Sequence, residues 1–331
     1  MSVSRSHRRQ ASLFGVLCGA LLLFPAAAFT AEPQGETVQI RSSHDQTQQS
    51  AIVFVPEKVE GPKPLLVLLH SWSADYRQKG QREICIHECN KRGWAFIHPD
   101  FRGPNVRPEA CASPAAVQDV LDAVDYMKQR TTIDPQRIYL VGSSGGGHMS
   151  LMMSTRAPDM WAGVSAWVPI SDLAAWHAES VARKTKYAKD MEHVCGGAPG
   201  TSAEVDAQYR ARSPLFALAR AKGRPIDISA GIHDGHTGSV PVSHSLYAFN
   251  ALADANGKSE QKLTEAQIRH ITDKRAIPEE LSQPPIEEDR KYPVLFRREA
   301  GPARVTIFDG GHEGDMRAAI HWLAQQVNAS R

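Results

Sequence analysis

Two serines and four glycines lie between two apolar segments in RIYLVGSSGGGHMSLMM, residues 137–153. The pattern Gly-x-Ser-x-Gly, in which a tight turn between a strand and a helix exposes a serine hydroxyl, fits this stretch when it is centred on Ser144. Centring it on Ser143 would require glycine at the position of Val141. Glycine is needed in such a turn because a side chain would collide with neighbouring backbone. We therefore predict Ser144 as a nucleophile, against the alternative of a glycine-rich loop without chemistry.

A serine hydroxyl is a weak nucleophile, so it needs a neighbouring base, and the base needs an orienting carboxylate. With a serine turn of this type, the acid and then the histidine follow later in the chain, each beyond the carboxyl end of a strand. The predicted strand PIDISAGI leads to Asp234, and the predicted strand ARVTIF leads into DGGHEGD, which contains His312. We predict Asp234 as the acid and His312 as the base.

Two other acidic residues compete with Asp234 for the orienting role. Asp227 lies inside a predicted strand, so its side chain would be at the wrong level. Asp309 directly follows a strand but is very close in sequence to His312, which would be unusual for the residue that orients it. Asp309 is therefore the weaker alternative.

Acyl transfer through a serine also requires N–H donors aimed at the oxyanion of the tetrahedral intermediate. The backbone N–H of Gly145, the residue after the predicted nucleophile, is one expected donor. The second donor is expected in the loop that follows the apolar segment PLLVLL, where the chain continues His70-Ser71-Trp72. We favour Trp72 as this donor, with Ser71 as the alternative.

Short apolar, β-rich segments alternate with amphipathic helical segments from Val38 onward, which predicts an α/β fold with a mostly parallel sheet covered by helices on both faces. PLLVLL is apolar throughout, as expected of a strand buried on both faces. Ser113 and Pro114 predict a helix start. The other predicted strands are AIVFV, WAFIHPD, RIYLV, WAGVSAWVPI, PIDISAGI and ARVTIF, and further helices are predicted near residues 80–91, 242–255 and 315–327.

We predict one domain over residues 29–331. Two segments interrupt its alternation of strands and helices. Residues 174–220 follow a predicted strand and carry aromatic residues, which indicates a small cap over the carboxyl edge of the sheet. Residues 258–292 are charged and contain prolines, with the helix-like TEAQIRHI inside, which indicates a surface insertion.

The N-terminus has the order of a secretory signal peptide. Three arginines precede an apolar run, residues 11–24, and a small-residue cluster, residues 26–28. The run is short for a membrane span, so an uncleaved anchor is the weaker alternative. We predict a signal peptide over residues 1–28, a secreted or periplasmic location, and no stable membrane insertion after its removal.

The charge balance excludes a nucleic-acid partner. The chain has 38 basic and 36 acidic residues, and removal of the three arginines of the signal peptide leaves 35 against 36. A near-neutral protein offers no basic field for nucleic acid. The oligomeric state is left open by these features.

Four cysteines remain after removal of the signal peptide, and in an oxidising compartment they could pair. Cys85 and Cys89 lie four residues apart in a predicted helix, a separation that poorly matches disulfide geometry. Cys111 and Cys195 are both expected in loops, so we predict a disulfide between these two residues. A zinc site is the alternative, but the chain has no Cys-x-x-Cys spacing.

Six histidines and three tryptophans are expected near the carboxyl edge of the sheet. The histidines lack helical His-x-x-x-His spacing, so we interpret most of them as shaping loops and predict neither a metal nor a cofactor. Trp72 and Trp176 are candidates to line an acyl or sugar pocket, and Trp167 fits a core position better. The histidines are His70, His98, His148, His233, His236 and His312.

The motifs LLVLLHSWSAD, YLVGSSGGGHMS, GIHDGHTGSVPVSHSL and FDGGHEGD together resemble the catalytic domain of the prolyl oligopeptidase family within the α/β-hydrolases. The resemblance covers residues from about 50 to 325. It implies an α/β-hydrolase fold with Ser144 as nucleophile, Asp234 as acid and His312 as base. The chain departs from the family at the oxyanion loop, where Ser71 replaces a glycine, and we expect no propeller domain before residue 50.

The sequence therefore predicts an exported serine hydrolase that works through an acyl-enzyme. We expect a carboxylic ester hydrolase acting on acyl groups of a carbohydrate or of a small molecule. The alternative is a serine peptidase of the same family, for which a glutamate pair suited to a peptide's free amine is not evident. A catalytically silent binding protein is the third interpretation, and the intact set of Ser144, Asp234 and His312 argues against it.

Overall fold

A computed structural model describes residues 1–2, 33–57, 59–286 and 288–328 of the 331-residue chain. Apart from its first two residues, the predicted signal peptide lies outside the described residues. Residues 33–331 cluster into one unit. None of the helices in the described part of the chain is long and apolar enough to cross a membrane.

A nine-stranded sheet runs through the described residues in the order β1-β2-β4-β3-β5-β6-β7-β9-β8. The strands are β1 Glu36–Arg41, β2 Gln48–Phe54, β3 Lys63–Leu69, β4 Ala95–Pro99, β5 Ile133–Ser143, β6 Gly163–Trp167, β7 Ile226–Gly231, β8 Val294–Ala300 and β9 Ala303–Phe308. Adjacent strands pair in parallel through six consecutive positions of the sheet, β4-β3-β5-β6-β7-β9. The predicted mostly parallel sheet is confirmed.

The two ends of the sheet are antiparallel, and the sequence patterns had not predicted their outermost strands. At one end β1 pairs with β2, and β2 pairs with β4. At the other end β8 pairs with β9. The outer strand β1 is largely exposed and β8 is only partly buried, so both lack the continuous apolar run that marks a strand buried on both faces.

Helices cover both faces of the sheet, because successive side chains of a buried strand point to opposite faces. In β3, Leu65, Val67 and Leu69 belong to the apolar layer with the second, third and seventh helices, whereas Leu66 and Leu68 belong to the layer with the first and ninth. The helices are α1 Gln81–Arg92, α2 Pro114–Arg130, α3 Gly145–Arg156, α4 Leu173–Ala182, α5 Tyr187–Cys195, α6 Ala203–Ala211, α7 Ser243–Ala255, α8 Glu265–Lys274 and α9 Met316–Leu323.

Helix α2 begins where the sequence predicted. The hydroxyl of Ser113 accepts a hydrogen bond of 3.0 Å from the amide of Ala116, and Pro114 occupies the first helical position. This cap satisfies one of the amide groups that the first turn leaves without a helical partner. Because α2 packs on the sheet, the cap also fixes the preceding loop, residues 100–112.

Three helices, α4, α5 and α6, follow β6 in the segment predicted as a cap. They enclose an apolar cluster of their own, to which Trp72 contributes from the loop after β3 and Val240 from the loop after β7. These two loops adjoin the carboxyl edge of the parallel strands. The segment predicted as a surface insertion contains α8, whose N-terminus carries a capping box between Thr264 and Gln267.

The predicted disulfide is wrong in this structure, where Cys85, Cys89, Cys111 and Cys195 are free thiols. Cys111 and Cys195 do share the apolar cluster under the cap, but Cys195 ends α5 instead of lying in a loop. Burial raises the pKa of the Cys195 thiol to about 11. A helical position fixes the direction of the side chain, which sequence spacing alone could not supply.

A buried ion pair connects the β1–β2 hairpin and α2 to the loop after β4. The Nε of Arg102 lies 2.5 Å from a carboxylate oxygen of Asp119, and the other oxygen accepts a hydrogen bond from Ser42. Both charged side chains are buried. The neighbouring Phe101 stacks at 3.8 Å on the ring of His70, so the pair supports the loop that carries the predicted oxyanion donors.

We expect Asp119→Asn to lower the free energy of unfolding by about 2 kcal/mol, because it removes the buried charged partner of Arg102 and leaves the guanidinium with the partly exposed Asp45 alone. Urea denaturation followed by circular dichroism measures this change. Asp125→Asn is the matched control, since Asp125 lies on the exposed side of the same helix and its pair with Lys128 contributes under about 1 kcal/mol. Equal losses in the two variants would contradict this account of the buried pair.

Candidate active site

Ser144 lies on a sharp turn between β5 and α3. Its backbone has φ 60° and ψ −119°, a conformation that is costly for a residue with a side chain. The turn is held on both sides, because the Ser144 amide donates to the carbonyl of Trp167 on β6 and its carbonyl accepts from the amide of His148 on α3. The turn therefore projects the Ser144 hydroxyl beyond the carboxyl end of β5.

The glycines around Ser144 are required by close backbone contacts. A Cβ atom on Gly142 would lie 2.5 Å from the carbonyl carbon of Gly146. On Gly146 it would lie 2.1 Å from the carbonyl oxygen of Leu69, and on Gly145 it would lie 2.3 Å from the amide nitrogen of Trp72. The turn is thus packed directly against the end of β3 and the loop that follows it.

Asp234 follows β7 and is almost fully buried. One carboxylate oxygen accepts hydrogen bonds from the amides of Gly235 at 2.8 Å and Val240 at 3.1 Å. Between Gly235 and Val240 the loop folds back tightly. A Cβ on Gly238 would lie 2.2 Å from Oδ1 of Asp234 and 2.5 Å from the Cβ of His312. This loop leaves the second carboxylate oxygen free to face His312.

His312 follows β9 in the glycine-containing loop, and it connects the other two side chains. Its Nδ1 lies 2.7 Å from the second carboxylate oxygen of Asp234, and its Nε2 lies 2.8 Å from the hydroxyl oxygen of Ser144. Ionised carboxylates only accept hydrogen bonds, so Nδ1 carries the proton and Nε2 is free to accept from the Ser144 hydroxyl. We call these residues the Ser144–His312–Asp234 chain.

The two competing carboxylates lie elsewhere. Asp309 is exposed, and its oxygen lies 3.2 Å from Nε2 of His233. Asp227 is fully buried in the sheet and forms an ion pair of 2.7 Å with Arg304. The structure therefore places the preferred acid, and neither alternative, against the Nδ1 of the candidate base.

The two predicted second donors of the oxyanion hole differ in what they already bind. The amide of Ser71 donates to the side-chain oxygen of Gln78 at 2.8 Å, and the same amide group of Gln78 donates to the Ser71 hydroxyl. The amide of Trp72 instead lies directly beside Gly145, as the close contact of Gly145 with this nitrogen shows. This arrangement favours Trp72 together with Gly145, and both assignments stay predictions.

Other histidines of this region are buried or contact backbone carbonyls. His98 and His148 are fully buried, and burial lowers the pKa of both, that of His148 to about 4. Nε2 of His148 lies 2.7 Å from the carbonyl oxygen of Arg212, and Nε2 of His236 lies 2.6 Å from that of Thr272. Among the residues that the structure describes, no group of three or more histidines, cysteines and acids could hold a metal ion.

A stack of three aromatic rings lies under the cap near the candidate site. Trp72 meets Trp176 edge-on with ring centroids 4.8 Å apart, and Trp176 stacks on Tyr187 at 4.8 Å. Trp72 and Trp176 are buried, and Tyr187 is half-buried. Trp167 is also buried, where it packs on Phe308, which fits its predicted core position.

Sequence reasoning missed three residues of this site. Gln78 occupies the Ser71 amide, Gly238 permits the contact of Asp234 with His312, and Ser239 places its hydroxyl oxygen 3.2 Å from Nε2 of His312. Gly238, the second glycine of GHTGSV, could have been identified from the sequence, since it lies in a loop that follows a predicted strand. The contacts of Gln78 and Ser239 depend on loop conformation and leave no sequence pattern.

A serine on a strained turn between strand and helix, at the carboxyl edge of a mostly parallel sheet with helices on both faces, defines an α/β-hydrolase. The model of the prolyl oligopeptidase family matches residues 89–283, more than half of the chain. The chain therefore belongs to the prolyl oligopeptidase family. The matched residues include Ser144 and Asp234, and His312 lies beyond them.

Two curated relatives have different activities in their names. An acetylxylan esterase from Coprinopsis cinerea is 24% identical over 146 residues, which cover 41% of this chain and 39% of the relative. An acylamino-acid-releasing enzyme from Oryza sativa subsp. japonica is 24% identical over 226 residues, which cover 62% of this chain and 27% of the relative. The chain thus spans well under half of the length of either relative.

Solved structures share the fold at low sequence identity. An acylaminoacyl peptidase from Pyrococcus horikoshii matches with a TM-score of 0.61 and 16% identity, covering 90% of this chain and 42% of that one. A puromycin-hydrolysing peptidase from Mycobacterium tuberculosis matches with a TM-score of 0.55 and 19% identity, covering 67% of this chain and 34% of that one. These similarities support the α/β-hydrolase fold.

We expect Gly238→Ala to slow labelling of Ser144 by a fluorophosphonate roughly a hundredfold, the scale of effect of displacing a reacting group by about 1 Å. The added Cβ would overlap Asp234 and His312 and separate the two side chains. Labelling rates from gel fluorescence measure the effect.

Thr237→Ala is the control for Gly238→Ala, because it changes an exposed side chain of the same loop, whose hydroxyl donates to the carbonyl of His233. This control should label at the rate of the unchanged protein. Unimpaired labelling of a folded Gly238→Ala variant would contradict the dependence of Ser144 on the position of His312.

Proposed function

We propose that the protein is a serine hydrolase in which Ser144 is the nucleophile, His312 the general base and Asp234 the orienting acid. The observation that carries the proposal is the Ser144–His312–Asp234 chain, with contacts of 2.8 and 2.7 Å. A strained serine turn with a base and a buried carboxylate in hydrogen-bonding reach is costly to build. This free-energy cost argues against a catalytically silent protein, in which the strained turn would serve no reaction.

In the proposed reaction, Nε2 of His312 takes the hydroxyl proton of Ser144 as its oxygen attacks the substrate carbonyl carbon. The resulting imidazolium donates that proton to the leaving oxygen as its bond to the acyl carbon breaks. Asp234 stabilises the positive charge on the imidazolium, and its own position is fixed by the amides of Gly235 and Val240. Water then attacks the acyl-enzyme by the same proton transfers in reverse, which releases the acid and restores Ser144.

The amides of Gly145 and Trp72 are the proposed oxyanion donors. Gly145 begins α3, so its N–H is among the amides without a partner inside the helix. A Cβ on Gly145 would lie 2.3 Å from the Trp72 nitrogen, and this proximity supports a second donor from the loop after β3. Two such donors would stabilise the negative charge that develops on the carbonyl oxygen in the transition state.

We propose carboxylic esters as the substrates, with an acyl group on a saccharide or on a small molecule. The similarity to an acetylxylan esterase supports an ester. The half-buried ring of Tyr187 stacks on Trp176, and the Lys186 ammonium lies 5.7 Å from the centroid of this ring, so the two residues offer aromatic surface and a hydrogen-bond donor suited to a sugar. The reaction needs neither a metal nor a cofactor, because the proton transfers are complete among the three side chains.

The second candidate function is a serine peptidase with the same mechanism. It is favoured by the similarity to an acylamino-acid-releasing enzyme, which covers more of the chain than the esterase match does. An amide anion is a much poorer leaving group than an alkoxide, so the leaving nitrogen must be protonated before its bond breaks, and peptidase activity demands more complete proton donation from His312. Direct comparison of matched ester and amide substrates separates the two functions.

We expect the purified protein to hydrolyse p-nitrophenyl acetate and acetylated xylo-oligosaccharides but not N-acetylalanyl p-nitroanilide. Ser144→Ala should lower kcat for the ester on the order of a millionfold, as removal of the nucleophile does in other serine hydrolases. Release of p-nitrophenol or p-nitroaniline and of acetate measures the rates. Cleavage of the anilide at a comparable rate would establish the peptidase instead.

Ser143→Ala is the matched control for Ser144→Ala. The Ser143 hydroxyl is buried and accepts a hydrogen bond from Gln81, so this variant removes a neighbouring hydroxyl that is bonded to Gln81 instead of to His312. It should keep most of the esterase activity. If Ser144→Ala keeps full activity, the assigned nucleophile is wrong.

We also propose export of the protein through cleavage of residues 1–28. Three arginines, an apolar run and a small-residue cluster support this proposal, as they have the order of a signal peptide. N-terminal sequencing of protein recovered from the periplasm or medium of cells that produce the full chain should give a sequence that starts at Phe29. Recovery of the uncleaved chain from the membrane fraction would instead indicate an anchor.

A further inference from the structure

Two hydroxyl groups converge on the same nitrogen of the candidate base. The hydroxyl oxygen of Ser144 lies 2.8 Å from Nε2 of His312, and that of Ser239 lies 3.2 Å from it. Because Nδ1 donates its proton to Asp234, Nε2 of the neutral ring has one lone pair to offer. The nucleophile satisfies it alone, so the mechanism above assigns no role to the second hydroxyl.

The position of Ser239 is set by its backbone. Its carbonyl accepts a hydrogen bond of 2.8 Å from the indole N–H of Trp176, and the carbonyl of the preceding Gly238 accepts one from the guanidinium of Arg183. On the other side, the amide of Val240 donates to Asp234. The cap helix α4 and the buried carboxylate thus hold the loop without help from the Ser239 side chain.

The surroundings of Nε2 change once the nucleophile is acylated. The Ser144 oxygen then carries the acyl group and has no proton to donate, so Ser239 is the side-chain hydroxyl that stays within reach of Nε2. Ser239 is only partly buried, so water reaches it. Its oxygen has two lone pairs and one proton, and it can hold a water molecule whose other proton points to Nε2.

We propose that Ser239 positions the hydrolytic water for the second half of the reaction. This inference rests on the proposed function. The water bridges the Ser239 hydroxyl and Nε2 of His312, its oxygen attacks the acyl carbon, and one of its protons passes to Nε2. The bond from the acyl carbon to the Ser144 oxygen then breaks, and the proton on Nε2 passes to that oxygen. Ser239 neither gains nor loses a proton overall.

The proposal predicts that Ser239→Ala slows deacylation about tenfold, the scale expected for one lost hydrogen bond to the attacking water. Acylation, which uses no water, should change little. Stopped-flow measurement with p-nitrophenyl acetate would show this as a burst of p-nitrophenol followed by a slower steady state. The rate of labelling by a fluorophosphonate, which also proceeds without water, should stay within about twofold of that of the unchanged protein.

Partition between water and methanol gives a readout that a structural role of Ser239 would not move. Both nucleophiles compete for one acyl-enzyme. Methanol has a single hydroxyl proton, so it cannot donate to Nε2 and to the Ser239 hydroxyl oxygen at the same time, as water does. Ser239→Ala should therefore raise the ratio of methyl acetate to acetate severalfold. Ser239→Thr retains a hydroxyl and should restore much of the ratio of the unchanged protein, whereas Thr237→Ala should have no effect.

The outcomes separate this inference from the proposed function. If the unchanged protein neither labels with the fluorophosphonate nor hydrolyses the ester, the proposed function fails. If it does both, and Ser239→Ala accelerates acylation or leaves deacylation and the methanol ratio unchanged, the proposed role of Ser239 is wrong. Circular dichroism of Ser239→Ala checks its fold. If that variant is misfolded, Ser239→Cys supplies the test, because a thiol has a similar size but is only a weak hydrogen-bond donor and acceptor.

Discussion

The close contact between the turn at Ser144 and the end of β3 is the constraint on which the rest of the site depends. A left-handed conformation at a residue with a side chain costs about 1–3 kcal/mol and persists only where surrounding structure enforces it. Here the backbone of Gly145 and Gly146 rests on that of Leu69 and Trp72, at distances that leave no room for a Cβ. The same contact brings the proposed oxyanion donors together, so one packing requirement positions both the proposed nucleophile and the groups proposed to stabilise the tetrahedral intermediate.

The cap and the chemistry share one structural unit. Trp176 of α4 and Arg183, the residue after this helix, bind the loop after β7, and that loop supplies an amide to Asp234 and a hydroxyl to His312. Insertions over the carboxyl edge of such sheets usually serve to shape substrate access. In this protein the insertion also holds the loop that contacts Asp234 and His312, the proposed acid and base, so a change in the cap is expected to alter the position of these two side chains.

Buried elements were predictable from the sequence, and exposed or long-range features were not. The strand PLLVLL and the helix begun by Ser113 and Pro114 lie where their patterns placed them, because burial on both faces and helix capping are local requirements. The outer strands β1 and β8 carry no continuous apolar run and were missed. The pairing of Cys111 with Cys195 was wrong because the sequence does not give the direction of a thiol on a helix.

The sequence by itself determined the type of turn at Ser144, the order of Ser144, Asp234 and His312 along the chain, and the family. Each of these features is read from a short stretch of sequence, since the glycine spacing around Ser144 and the residues directly after each strand lie within a few positions of one another. Only the tertiary structure decided the contacts between them, the exclusion of Asp309, the occupation of the Ser71 amide and the approach of Ser239 to His312. Those contacts join loops from distant parts of the chain, and their geometry depends on how the whole sheet edge packs.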